Sequence, residues 1–476
     1  MPHRVGTATG FRYDRAMYVL LASPYEIGRQ PLALAHPAAV LRHAGHDVHC
    51  VDLSLGPLPW DDLAQFDVIA LSVVMHTATR IAARLLPRIR EKAPGAHVVC
   101  YGLYGPGHAA TLAGLGADTV LGPECEGALL DLANGLAGRL LPEKPTRVSF
   151  VVPDRRGLPG LERYAHLIGP DGSTKTVAFV EATRGCKYLC RHCPIVPIYQ
   201  GRFRALPRDV VLGDISQQIE KGATHVSFGD PDFLNGPTQA LRITEALHER
   251  WPHVTFDATI KISHICEHPD IIRTLAARGC VLITSAVESF DDTVLANLDK
   301  GHTAADIRVA AKIVREAGID LMPTFVPFTP WTTLDSYREL LQSIQDLHWV
   351  EAVAPIQLAI RLLVPGGSYL LELPGFRDEL GPFGAEQFGY RWDHRDARVD
   401  RLQQLVQKRA EEAEQSKEAR RETFRALWNL AWNACDLSAP PLAEAAGERP
   451  GFRLSEPWYC CAEPTTAQLA IADASA

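Results

Sequence analysis

A chain of 476 residues is too long for one ordinary domain, and 46% apolar side chains are enough to bury full cores, which excludes global disorder. The net charge of −8 argues against a nucleic-acid polyanion as partner. The apolar run Met17 to Ala22 is too short for a signal-peptide core, and no stretch approaches the roughly 20 apolar residues of a spanning helix, so the expectation is a soluble, cytoplasmic protein without a membrane partner.

In chain order, "YVLLAS" (18–23) reads as a buried strand and "PLALAHPAAVLRHAG" (31–45) as a helix ended by Gly45. "DVHCVDL", "FDVIALSVV", "AHVVCYG" and "DTVLG" read as further strands, with the helix "TATRIAARLLPRIREKAPG" among them. Apolar runs alternating with helices predict an open parallel sheet covered on both faces over 1–140. The Pro- and Gly-rich stretch 141–175 reads as a linker with a hairpin. Six strand candidates follow, "TVAFVEAT" (176–183) through "VEAVAPIQLAI" (350–360), with helices between them. They predict a partial barrel over 176–365 with chemistry at the strand C-termini. The remainder, 366–476, reads as a helical C-terminal region, with one long mixed-charge helix at 398–434 and a turn-rich tail.

Eleven cysteines is an odd count, unevenly spread. Cys50, Cys100, Cys125, Cys266, Cys280 and Cys435 stand alone and read as plain core thiols. Cys186, Cys190 and Cys193 fall in one loop, "GCKYLCRHC", directly after a strand, with no second pair nearby to complete a zinc ribbon. Three thiolates on a four-iron cluster leave one iron open to a small molecule.

This CxxxCxxC loop resembles that of the radical S-adenosylmethionine (SAM) superfamily. The resemblance implies Cys186, Cys190 and Cys193 as ligands of a [4Fe-4S] cluster whose open iron chelates SAM. It further implies an external electron donor such as a flavodoxin or ferredoxin. His192 stands where the family favours an aromatic residue. In "SFGDPDF", Gly229, Asp230 and Pro231 fall where relatives contact the methionyl amine, although a turn or helix cap uses the same aspartates. In "SAVESFDD", Glu288 and Ser289 match the pair that meets the ribose. "MPTFVPFTPWTTLDSY" resembles the segment packed beside adenine.

A front α/β domain resembles the cobalamin-dependent branch. The expected fold class is therefore α/β: an N-terminal open parallel-sheet, Rossmann-type, cobalamin-binding-like domain, a partial (β/α)6 radical SAM barrel, and a helical C-terminal extension. No Asp-x-His-x-x-Gly motif follows the first strand. Ser72 and Thr77 resemble the segment around a cobalamin nucleotide tail, and Gly102 and Gly105 part of the glycine loop. Either cobalamin binds without a protein lower ligand or the domain is kept as scaffold; His36, His76 and His108 could line the cleft.

At the far end, "SEPWYCCAEPTT" places Cys460 beside Cys461. Neighbouring thiols make a strained disulfide but a soft ligand pair. "CCAEP" resembles the tail of the CUAEP/CCAEP-tail radical SAM group, which looks related to the radical SAM protein of arsinothricin biosynthesis. That resemblance implies a radical SAM transferase that moves the 3-amino-3-carboxypropyl group of SAM to a small soft acceptor, arsenic(III) first, held by Cys460 and Cys461. Two alternatives stand beside it: a cobalamin-dependent radical SAM methyltransferase, and a non-catalytic iron–sulfur sensor or electron carrier.

Overall fold

The apolar run at the front becomes strand β1 (Tyr18–Ser23), and the alternation continues as α1 (Leu32–His43), β2 (Asp47–Asp52), β3 (Val68–Ser72), α2 (His76–Lys92), β4 (His97–Tyr101), α3 (Ala109–Gly114), β5 (Thr119–Leu121) and α4 (Glu126–Leu136). The computed structural model describes residues 16–136, 150–443, 450–456 and 462–474. The five strands are parallel in the order β2-β1-β3-β4-β5. Both faces are apolar because both are covered. Leu20, Ala22, Ile69 and Leu71 meet α2, while Val19, Leu21, Val68 and Ala70 meet α1 and α4. Gly45 follows α1 with φ 83°, a left-handed position that suits glycine.

The expected hairpin of the linker is β6 (His166–Ile168) against β7 (Thr174–Val180). The cluster loop then lies between two short paired strands, β8 (Thr183–Gly185) and β9 (Phe203–Ala205), and contains α5 (Val196–Tyr199). The barrel continues as α6 (Arg208–Glu220), β10 (His225–Phe228), α7 (Pro237–Arg250), β11 (Thr255–Thr259), α8 (Ile262–Glu267), α9 (Pro269–Ala277), β12 (Cys280–Glu288), α10 (Asp292–Asn297), α11 (Ala304–Glu316), β13 (Asp320–Phe325) and α12 (Leu334–Asp346). Strands β7, β10, β11, β12 and β13 are parallel neighbours in that order. The sixth parallel position is a single bridge, Phe328↔Arg361, and the expected strand at 350–360 instead contains a 3₁₀ turn, Pro355–Leu358. Pro355 cannot donate to a ladder, which limits pairing there.

The C-terminal region opens with a small hairpin, β14 (Leu380–Gly384) and β15 (Gly389–Trp392). The expected single helix is two, α13 (Ala397–Ser416) and α14 (Arg420–Ala434). Lys417 takes a left-handed conformation, φ 54°, and the chain folds back so that Leu427, Trp428 and Ala431 are buried. One continuous helix would leave that apolar stripe uncovered. The tail contributes β16 (Arg453–Leu454), which pairs with β6 at the edge of the barrel sheet, and α15 (Thr466–Ala474). Among the described residues no helix is long and apolar enough to cross a membrane.

Two buried ion pairs join the parts. Arg155 grips Asp214 with two bonds of 2.9 and 2.8 Å and reaches Gln30 of the front loop at 2.8 Å. Arg184, just before the cluster loop, meets Glu126 at the start of α4 at 2.6 Å. These pairs hold the carboxyl ends of the two sheets against a shared cavity.

Candidate cluster and cofactor site

The loop 186–193 is fastened from several sides. Lys187 N–H donates to Asn235 at 3.1 Å, Arg191 N–H donates to the Leu298 carbonyl at 2.9 Å, and Ser368 Oγ donates to the Arg191 carbonyl at 3.1 Å. Gly185 precedes the loop at φ 82°, where a Cβ would lie 2.5 Å from the Tyr199 ring, so glycine is required. Cys186 and Cys193 are half-buried and Cys190 is buried. None of the nine described cysteines is in a disulfide. All three loop thiols line one open cavity of about 320 Å³.

The opposite wall comes from barrel strand ends. Lys261, just after β11, places Nζ 3.5 Å from Cys190 Sγ and 2.7 Å from the Lys300 carbonyl, and over the Tyr188 ring at 3.6 Å. Glu288 ends β12 at φ 68°, beside a register shift, so a bulge and a strained backbone aim its carboxylate. Its Oε1 accepts from Lys300 Nζ at 3.0 Å and lies 3.1 Å from His192 Nε2. Burial alone would raise Glu288, but Lys300 and His192 hold it down at about 2. His192, the departure noted in the loop, thus ties the cluster loop to the end of β12.

Gly229 and Asp230 line the cavity. A Cβ at Gly229 would meet the Phe179 ring at 2.3 Å, so its smallness serves packing between β7 and β10. Asp230 accepts from Ala182 N–H at 2.9 Å and Thr183 Oγ1 at 2.5 Å, and burial pushes it up to about 7. It therefore anchors the approach to the cluster loop. Ser289 is not among the cavity-lining residues; its hydroxyl accepts from Asp291 N–H at 3.0 Å because the chain turns away after Glu288. Sequence reasoning missed Lys261 and Lys300. Their only signal was a lysine at the end of an apolar strand and another in "NLDKGHT".

Across the cavity stand Ile27, Arg29, Val74, Met75 and Leu103 from the loops after β1, β3 and β4. The same residues border a second lobe, which reaches Glu26, His36, Glu126 and Glu181. His36 lines that lobe, its Nε2 3.6 Å from Glu181. His76 and His108 are buried elsewhere, and neither lines the cavity or this lobe. Cys460 and Cys461 lie outside the described residues.

The donor set fits a four-iron cluster and a zwitterionic sulfonium. Three thiols converge on one cavity wall, and ammonium and carboxylate partners of both signs face them. The residues offered for a corrinoid fit poorly. Ser72 and Thr77 are buried off the cavity, and Gly105 would press a Cβ to 2.5 Å from the Leu121 carbonyl. A Cβ at Gly102 would meet the Val73 backbone at 2.9 Å. Gly105 serves backbone packing, while Gly102 packs on the Val73 backbone and also lines the second lobe.

Residues 180–344 match the model of the radical SAM superfamily. They form a radical SAM domain. Its family uses a [4Fe-4S] cluster and SAM, and these are the cofactors of the domain. Among curated proteins, tRNA-2-methylthio-N(6)-dimethylallyladenosine synthase of Yersinia pestis (strain Pestoides F) is 23% identical over 245 residues, 49% of each chain. The enzyme of that name from Klebsiella pneumoniae (strain 342) is 25% identical over 254 residues. The chain spans about half the length of the curated relatives it matches. Among solved structures, the cobalamin-dependent SAM radical enzyme OxsB aligns with TM-score 0.65 at 15% identity, covering 88% of this chain and 73% of that one. The radical SAM methyltransferase TsrM from Kitasatospora setae aligns with TM-score 0.55 at 18% identity, covering 70% and 71%. These likenesses extend the shared fold beyond the radical SAM domain into the front sheet.

Proposed function

We propose that this radical SAM enzyme transfers the 3-amino-3-carboxypropyl group of SAM to a soft acceptor, arsenic(III) first, engaged by Cys460 and Cys461, as in the CCAEP-tail group it resembles. The observation that supports this is the course of the tail. Glu456 lies against Gly28, where an added Cβ would come 3.0 Å from the Glu456 Cγ, and the neighbours of Gly28, Ile27 and Arg29, line the cluster cavity. Cys186, Cys190 and Cys193 would hold the cluster. A bound cluster and SAM would supply one electron and a sulfonium, so that cleavage at Cγ–S yields methylthioadenosine and a 3-amino-3-carboxypropyl radical for arsenic(III); the electron given up as the carbon–arsenic bond forms would return to the oxidised cluster.

The rest falls to the chain. Lys261 offsets thiolate charge at Cys190. Lys300 and His192 keep Glu288 ionised beside the cavity, where it accepts hydrogen bonds from SAM. Asp230 fixes the loop through Ala182 and Thr183. The apolar face of Val74, Met75 and Leu103 keeps water from the reacting carbon.

Anaerobic incubation with SAM and dithionite, with and without arsenite, tests the reading by mass spectrometry. Methylthioadenosine and an arsenic-bearing aminocarboxypropyl product are expected. Formation of 5′-deoxyadenosine alone, or full turnover by Cys461→Ser, would overturn it. A second reading, methyl transfer through a corrinoid, is favoured by the likeness to OxsB and TsrM; a retained corrin absorbance band with S-adenosylhomocysteine as coproduct would establish it.

A further inference from the structure

The acid of the tail motif has a partner far away in sequence. Glu463, the glutamate of "CCAEP", places Oε2 2.7 Å from Arg80 and Oε1 3.3 Å from His76. His76 opens α2 and is fully buried, and Arg80 lies one turn on. A carboxylate at that end also meets the positive end of the helix dipole. A second contact is independent of the first. The Tyr25 hydroxyl donates to Glu456 at 3.2 Å and accepts from Gln468 Nε2 at 3.1 Å, so one side chain of the front loop holds the tail on both sides of the Cys pair. Beyond it, α15 packs on α2, with Ala472 buried in the front core and Leu469 and Ile471 against it. A nine-residue helix is too short to persist alone, so these contacts are what keep it helical.

The geometry points to a role for the front sheet as the dock of the C-terminal tail, with Glu463, His76, Arg80 and Tyr25 as positioning residues that set where the Cys pair is presented. The segment "LSVVMHT", offered by resemblance to a cobalamin nucleotide, is here engaged by the protein's own tail. This deepens the proposed function and rests on its use of Cys460 and Cys461.

The test uses the full-length, cluster-loaded enzyme with Glu463→Gln, Arg80→Gln and the swap Glu463→Arg with Arg80→Glu. Hydrogen exchange of the backbone amides of 462–474 is expected to quicken about tenfold in each single variant and to return toward wild type in the swap. With arsenite as the probe acceptor, the ratio of SAM cleaved to group transferred is expected to rise in the single variants and fall back in the swap. The shift of the cluster's paramagnetic signal on adding SAM should stay as in wild type. Unchanged exchange in both single variants overturns the dock. Faster exchange with an unchanged ratio overturns the positioning role. Absence of transfer to arsenite by the wild-type enzyme would sink the acceptor reading alone, and the exchange measurement would still decide the dock.

Discussion

The two parallel sheets present their carboxyl ends to one cavity, yet they use them differently. The barrel ends carry charge into the cavity: Lys261 after β11, Glu288 on β12, and Lys300 after α10. The front ends offer mostly apolar groups, Ile27, Val74, Met75 and Leu103, with Arg29 as their charged residue at the cavity, and spend other polar groups on structure, with Tyr25, His76 and Arg80 meeting the tail. The same edge of the same kind of sheet thus serves cofactor chemistry in one case and packing and docking in the other. What separates them is how many charged side chains each set of loops brings to the cavity wall.

Removing the barrel's thiols should have the largest effect. Cys186→Ala, Cys190→Ala and Cys193→Ala are expected to lose bound iron and bring SAM cleavage to background, read by iron analysis and product formation. If any of them keeps full iron and activity, the barrel side of the contrast fails. Next comes the joint between the sheets. Arg155→Ala leaves Asp214 buried without its two charged bonds, at a cost of about 3–5 kcal/mol in chemical denaturation. Close behind, Lys300→Met strips Glu288 of its ammonium and is expected to cost about 3 kcal/mol and to weaken SAM binding. On the front side, half-buried Glu26 accepts from the N–H groups of Leu32 and Ala33, and its desolvation pushes it up to about 8, helped by Asp52 and Glu181. Because its folded value lies above the ordinary 4.5, the folded chain holds this proton more tightly than the unfolded one. Stability should therefore fall as pH rises from about 5 to 8. Glu26→Gln should flatten that slope by up to about 1 kcal/mol per pH unit, seen in melts at pH 6, 7 and 8. An unaltered slope would mean that the front ends carry more ionised charge than described.

Local pattern made much of this readable. The front strands were legible because runs such as "YVLLAS" are buried on both faces, and the cluster loop because its three cysteines lie within eight positions. The break between α13 and α14 was not, since charged residues on either side of Lys417 suit one helix or two; burial of Trp428 decides. The segment expected as a strand at 350–360 contains a 3₁₀ turn at Pro355–Leu358, and the parallel pairing is left to a single bridge at Arg361. Ser289 matched a motif, but a turn carried it off the cavity.

By itself the sequence determined the alternation that makes two parallel sheets and the thiol spacing that suits an iron–sulfur cluster, because both depend on residues close along the chain. Only the tertiary structure decided which charges face those thiols and where the tail goes. Lys261 reaches Cys190 across 71 positions, and Glu463 reaches Arg80 across 383. Such pairings follow from how strand ends and helices pack, which no local spacing encodes.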